Sequence, residues 1–334
     1  MDDALLRRVE RAAGVPDLVE VLADRLSPSD LHSLLLAVHR RRAAATTPAR
    51  VLERYAGGRL FRPSPVAPAL FAAFDRLALP VLDDAGFTGL DLSPVTPLGT
   101  VAAVATVDQN RVLAADRGGE VVADSTNTLA LECALRRRAR LREDRGDAGT
   151  VRLFALHRLV RAQPVPEGWR PHFRMLALTT AGRDTGSFRF ETQALRGQLE
   201  VLLRLLREAG RQGFALGRLR VALTELDRVP REVELRERVM EPLAERFPEV
   251  ELAFDDQRVV GRGYYRRVCF HVHAVTPDGT DIAVADGGFT DWTGRLLGNA
   301  KERLLVGGLG VELLCQLFRA EPASADGSRL TADG

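Results

Sequence analysis

The most constraining feature of the chain is the way strand-like and helix-like segments follow one another without regular alternation. Strand patterning is expected at 87–92, 101–107, 111–115, 151–163, 172–180, 218–224, 250–254, 257–260, 264–275 and 281–286. Helical spacing is expected at 67–85, from Asp124 through Arg142, and at 190–210, 231–247 and 291–304. A doubly wound parallel sheet needs strand and helix in strict turn, so this order favours an α+β fold built on an antiparallel sheet flanked by helices. Residues 1–55 read as helices alone. Ser27-Pro28-Ser29-Asp30 is a strong helix start, with a capping serine, proline in the first turn and an acid three residues on. Leu31, Leu34, Leu35 and Val38 then recur at helical spacing.

The 334 residues allow about two domains. Gly57, Gly58, Pro63, Pro65 and Pro68 place a boundary near residue 60. The expected organisation is a helical extension at 1–60, a core at 61–320 and a polar tail at 321–334. Apolar residues at 46% support a packed core, and 47 basic against 45 acidic residues argue against a surface that grips nucleic acid throughout. Lys301 is the only lysine, which confines lysine chemistry to that position. Cys133, Cys269 and Cys315 are far apart and form no C-x-x-C pair. A reduced, cytoplasmic setting is expected, with no membrane span.

Several kinds of chemistry are poorly supported. No G-x-S-x-G elbow and no Walker A lysine motif occurs. His271 and His273 share one strand face, with Cys269 and Asp281 available to complete a set. No second ligand pair stands at zinc spacing, so no metal is expected. The run from Arg136 to Arg145 reads as a solvated helix end, with RNA contact the less favoured reading.

A series of segments, taken in order, says more. These are the helix 67–85 followed by GFTGLDLSPVTP, then ADSTNTLALECA at 123–134, the hairpin HRLVRAQPVPEGWRPHF at 157–173, GRGYYRRVCF, GGFTDW and GLGVELL. The series resembles the catalytic core of class II aminoacyl-tRNA synthetases, in the histidyl-tRNA synthetase branch, over roughly residues 65–319. The resemblance implies a nucleotide-binding set of Arg161, Gln163, Arg170, His172, Phe173 and Glu312. It also implies a small-molecule pocket of Thr126, Thr128, Met175, Thr179, Tyr264, Tyr265, His271, Gly287 and Gly288. ATP and magnesium are implied only where the chain is an active ligase. A homodimer through the first segment is implied as well.

The departures from the family pattern bear directly on activity. Leu313 stands where an arginine would bind the ATP γ-phosphate, and Val260 where the catalytic arginine would stand, with Arg258 and Arg262 close but offset. Thr126, Met175 and Thr179 replace polar pocket groups, and Gln163 replaces an acid. Adenylation builds negative charge at the α-phosphate, and losing one aimed charge costs about a hundredfold or more in rate. The expected function is therefore a non-aminoacylating paralogue, similar to the regulatory subunit of short-form ATP phosphoribosyltransferase, which partners a catalytic subunit in histidine biosynthesis. The alternative is an ATP-dependent ligase for another acid, with Arg161, Arg170 and His172 facing ATP and with His271 and Arg262 as substitutes. On the resemblance the core is followed by too few residues for an anticodon-binding domain, so the second unit is expected to be the N-terminal helices.

Overall fold

In the computed structural model, which describes residues 3–227 and 229–319, Ser27 caps its helix in both directions. Its hydroxyl oxygen accepts the Asp30 backbone N–H at 3.1 Å and its O–H donates to the Asp30 carboxylate at 2.7 Å. The helices are α1 (Asp3–Ala13), α2 (Leu18–Glu20), α3 (Pro28–Ala44), α4 (Pro48–Gly57), α5 (Pro68–Asp84), α6 (Ser125–Glu143), α7 (Arg189–Arg211), α8 (Glu232–Leu235), α9 (Glu241–Arg246), α10 (Trp292–Leu297) and α11 (Val311–Leu317). The strands are β1 (Thr88–Gly89), β2 (Val95–Pro97), β3 (Ala114–Ala115), β4 (Gly119–Val121), β5 (Val151–Val160), β6 (His172–Arg183), β7 (Leu219–Glu225), β8 (Val250–Phe254), β9 (Arg266–Val275), β10 (Asp281–Thr290) and β11 (Glu302–Leu309).

The chain forms two units. One is built from the chain up to Pro65 with Leu92–Thr128 and Arg158–Phe173. The other comprises Val66–Asp91, Leu129–His157 and the chain from Arg174 onward. The expected polar tail at 321–334 lies outside the described residues.

The first unit joins α1–α4 to a small antiparallel sheet in the order β2-β4-β3. No residue of α1, α2, α3 or α4 is buried, and Leu34 and Val38 stay exposed despite their helical spacing. His32 Nδ1 lies 2.6 Å from the Asp116 carbonyl and His39 Nδ1 2.8 Å from its carboxylate, so α3 is tied to the β3–β4 turn. The expected strand at 101–107 is instead a π-helical turn over Thr100–Val104. Glu120 explains the difference. Its buried carboxylate accepts the backbone N–H groups of Gly99 (2.9 Å) and Val101 (2.8 Å) and the Gln109 amide (2.7 Å), which curls this segment around one anion.

The second unit holds a sheet in the order β1-β5-β6-β11-β10-β9-β7-β8. Its centre is antiparallel, and parallel pairs occur at β1–β5 and β7–β8, so the fold is α+β with a mixed sheet flanked by helices. Leu176, Leu178, Leu223, Phe270, Val272 and Leu305 face one side and form a single apolar cluster with Leu195, Leu199, Leu202 and Leu206 of α7. The opposite face carries Met175, Thr179, Cys269, His271, His273, Asp286, Gly288 and Gly308, as the registers require.

Two expectations at this end fail. Residues 302–304 belong to strand β11, not to a helix spanning 291–304, and 257–260 is a loop. The glycines of β11 mask its strand character. A Cβ at Gly307 would stand 2.9 Å from Gln198 Oε1, and one at Gly308 2.9 Å from Met175 Sδ, so close approach excludes the β-branched residues that mark a strand.

Arg138, Arg140, Arg142 and Arg145 are exposed, as expected of a solvated helix end, but Arg137 of α6 departs from that reading. It is fully buried, and all five of its N–H donors are used. They reach Glu302 at 2.7 and 3.0 Å, the Asp147 carboxylate at 2.5 Å, the Asp147 carbonyl at 2.9 Å and the Gly149 carbonyl at 2.7 Å. Removing one partner of such a pair strands the other charge. Arg137→Ala is therefore expected to lower stability by about 3–5 kcal/mol in chemical denaturation.

Candidate functional site

The residues implicated from sequence divide between the two units. In the first, Arg161 sits at the hairpin end, where its backbone N–H donates to the Pro171 carbonyl at 2.7 Å. Its Nε donates to the Ala123 carbonyl at 3.3 Å, and its guanidinium lies over the Phe173 ring at 5.0 Å. His172 is fully engaged by its own unit: Arg158 donates to Nδ1 at 3.0 Å, so Nε2 carries the proton and donates to the Arg62 carbonyl at 2.7 Å. Gln163 and Arg170 are half-buried, and Arg170 Nε has no partner.

At the start of α6 the Thr126 N–H and hydroxyl both bond the Asp124 carboxylate, at 2.9 and 2.7 Å. Its neighbours behave differently. The Ser125 hydroxyl, both amide atoms of Asn127 and the Thr128 hydroxyl are buried with no hydrogen-bond partner. Such groups are costly in a native fold and mark a place where polar atoms of a ligand or water complete the bonding. The sequence pattern ADSTNT pointed to this segment through Thr126 and Thr128. Asn127 and Ser125 went unnoticed, because burial is not visible in a run of small polar residues.

In the second unit a different group emerges around Asp286 of β10. Arg258 Nη2 donates to its Oδ1 at 2.7 Å, the Tyr265 hydroxyl donates to Oδ2 at 3.1 Å, and His271 Nε2 lies 3.6 Å from Oδ1. Arg258 is buried, while its neighbour Val260 is 72% exposed. Arg258 Nε is held by the Val260 carbonyl at 2.7 Å, and Arg262 turns back to the loop, donating to the Arg258 carbonyl at 2.6 Å. The guanidinium facing this strand pair is therefore that of Arg258. Asp286 itself was missed from sequence, since its importance depends on the register that sets it opposite His271.

The remaining positions fall around this group. Tyr264 packs edge-on against Tyr265 (4.9 Å) and Trp292 (5.5 Å). A Cβ at Gly288 would lie 2.7 Å from both Cys269 Cβ and the Tyr265 ring, so Gly288 is what lets Tyr265 reach Asp286. Gly287 faces the other way, onto Phe270. Thr179 is buried beneath α6, with its hydroxyl 3.4 Å from Cys133 Sγ and 3.3 Å from the Leu153 carbonyl. Glu312 Oε2 accepts the Arg174 backbone N–H at 2.9 Å, and Leu313 packs against the apolar cluster.

Burial pushes all three thiols upward, Cys133 to about 12 and Cys269 and Cys315 to about 11, which leaves them protonated at neutral pH. Among the described residues no group of three or more His, Cys, Asp or Glu could hold a metal ion. No helix there is long and apolar enough to cross a membrane.

The fold is the class II aminoacyl-tRNA synthetase-like core. Solved structures that share it include a histidine–tRNA ligase subunit from Alicyclobacillus acidocaldarius, at 14% identity and a TM-score of 0.55 over 76% of this chain and 94% of that one. An ATP phosphoribosyltransferase regulatory subunit/histidyl-tRNA synthetase from Bacillus halodurans matches at 14% identity and 0.54, over 75% and 80%. Histidyl-tRNA synthetase from S. aureus matches at 11% identity and 0.53, over 75% and 71%. No protein-family model and no curated protein sequence matches the chain.

Burial, and next the Arg258 charge, push His271 below the ordinary histidine value of 6.5, against the pull of Asp286. The folded chain thus binds this proton less readily than the unfolded one. His271 favours the fold above pH 6.5 and costs stability as pH falls below it. Arg258→Met removes a repelling charge and leaves Asp286 unneutralised, so both effects are expected to raise the His271 pKa. A histidine-ring NMR titration of the full chain measures this.

Proposed function

We propose that the chain is a non-aminoacylating subunit of histidyl-tRNA synthetase-like fold, which binds a small polar ligand and acts through association with itself and a catalytic partner. Leu313 carries this reading. At the position where the resemblance expects a cation for the γ-phosphate, the side chain is apolar and packs against the hydrophobic cluster. Glu312 beside it is committed to the Arg174 backbone. Arg258, the guanidinium nearest Val260, is already paired with Asp286 and could turn to a phosphate only by leaving that carboxylate alone. The unpartnered groups of Ser125, Asn127 and Thr128 support retention of a ligand site without the charges that adenylation requires.

A second reading, an ATP-dependent ligase for a different acid, draws on Arg161, whose position over Phe173 leaves a guanidinium beside an aromatic face. Pyrophosphate exchange with ATP and magnesium separates the two. With histidine, no exchange above background is expected, and Arg161→Ala should change nothing. Histidine-dependent exchange that Arg161→Ala abolishes would refute the proposal. Exchange driven by another amino acid or carboxylic acid would establish the ligase reading in its place.

A further inference from the structure

Arg266 and Arg267 are consecutive residues of β9, and consecutive strand residues ordinarily point to opposite faces. Here both line one cleft of about 590 Å³. A break in the ladder brings this about. Gly288 pairs with Cys269 but Phe289 pairs with Arg266, so Arg267 and Val268 have no partner on β10. Arg267 takes up the irregularity with a φ of 63°, a left-handed backbone that residues other than glycine seldom adopt. Bulges of this kind re-aim side chains.

Most of the other charges in the cleft are engaged, with Arg295 standing 3.6 Å from Asp291. Glu302 is bound at both oxygens by Arg137. Arg303 donates to Asp184 at 2.6 Å and to Glu191 at 3.0 Å. Arg266 Nη1 donates to the Gly263 carbonyl at 3.0 Å and to the Tyr265 carbonyl at 3.4 Å, but neither Arg266 nor Arg267 has a carboxylate within hydrogen-bond distance. Asp291 lies 3.9 Å from Arg266, and both Asp227 and Glu191 lie 3.6 Å from Arg267, each beyond hydrogen-bond reach. Thr290 also lines the cleft. It is 4% exposed, and its hydroxyl has no partner. Two guanidinium forks and an unsatisfied hydroxyl thus converge on a space of ligand-binding size.

We propose that this cleft binds a small oxyanion, the phosphate or carboxylate group of a metabolite-sized ligand, through Arg266, Arg267 and Thr290. Arginine forks match the paired oxygens of both groups. The site lies four residues along β10 from Asp286, about 13 Å at strand spacing, and is separate from the group around it. Calorimetric titration of the full chain at low ionic strength, with inorganic phosphate in one series and succinate in another, tests the proposal and identifies the type of anion. Saturable binding of at least one is expected. Arg267→Gly should weaken it tenfold or more while leaving Tm unchanged or raised, because glycine is at ease at this φ. Thr290→Val should also weaken binding, with no loss of Tm. No saturable binding of either anion, or undiminished binding in both variants, overturns the proposal.

Discussion

Four glycines on two adjacent strands set the geometry on which both the core and the polar face of the second unit depend. Gly287 pairs with Gly307, and their neighbours Gly288 and Gly308 turn to the opposite side. On the helix side, Gly287 makes room for the Phe270 ring and Gly307 for Gln198 of α7. Gln198 then donates to the Thr180 hydroxyl at 3.1 Å and the Leu305 carbonyl at 3.2 Å, fixing α7 to the sheet. On the other side, Gly288 makes room for Tyr265 and Gly308 for Met175. One narrow strip of backbone therefore sets how closely α7 packs and whether the Tyr265 hydroxyl reaches Asp286.

Charge is handled in two different ways within the same unit. Arg137 is buried with every donor satisfied, a state that a lysine with its three donors could not match. Arg258 is also buried, but Nη1 has no partner, and the carboxylate it neutralises remains partly open to solvent. The first arrangement ties α6 to β11 and has nothing left to offer. The second leaves unused hydrogen-bonding capacity next to a neutral histidine, which is what a ligand site requires and a structural ion pair lacks. The same guanidinium also holds the Val260 carbonyl, so one side chain ties that loop to Asp286.

Much of the architecture was legible because it rests on local rules. The Ser27 cap and the long amphipathic face of α7 fall where spacing and chemistry put them. What was illegible depends on partners distant in sequence. The strand character of β11 was hidden because the residues that make glycine necessary there, Gln198 and Met175, lie more than a hundred positions away. Residues 101–107 looked like a strand because the Glu120 carboxylate that captures their amides is not part of the apolar pattern. Asp286 went unremarked beside its glycines, since Arg258 and His271 meet it only through a register that tertiary contacts set.

Under the proposed function, Glu312 and Leu313 read as a site that keeps its outline without its charge. Glu312 is needed by the fold: it holds the Arg174 backbone, and the Arg174 side chain in turn pairs with Asp75 of α5 at 2.7 Å and lies over Phe71. This links α11 through β6 to α5, so an acid at 312 is explained without a phosphate or metal to bind. Position 313 has no such structural tie to a charge. An apolar residue there gains burial against the cluster, whereas an arginine would need an anion to offset its desolvation. An acid that doubles as a structural anchor is therefore weak evidence of catalysis. The side chain beside it, which can bear a charge only when a ligand needs one, says more about whether ATP is held.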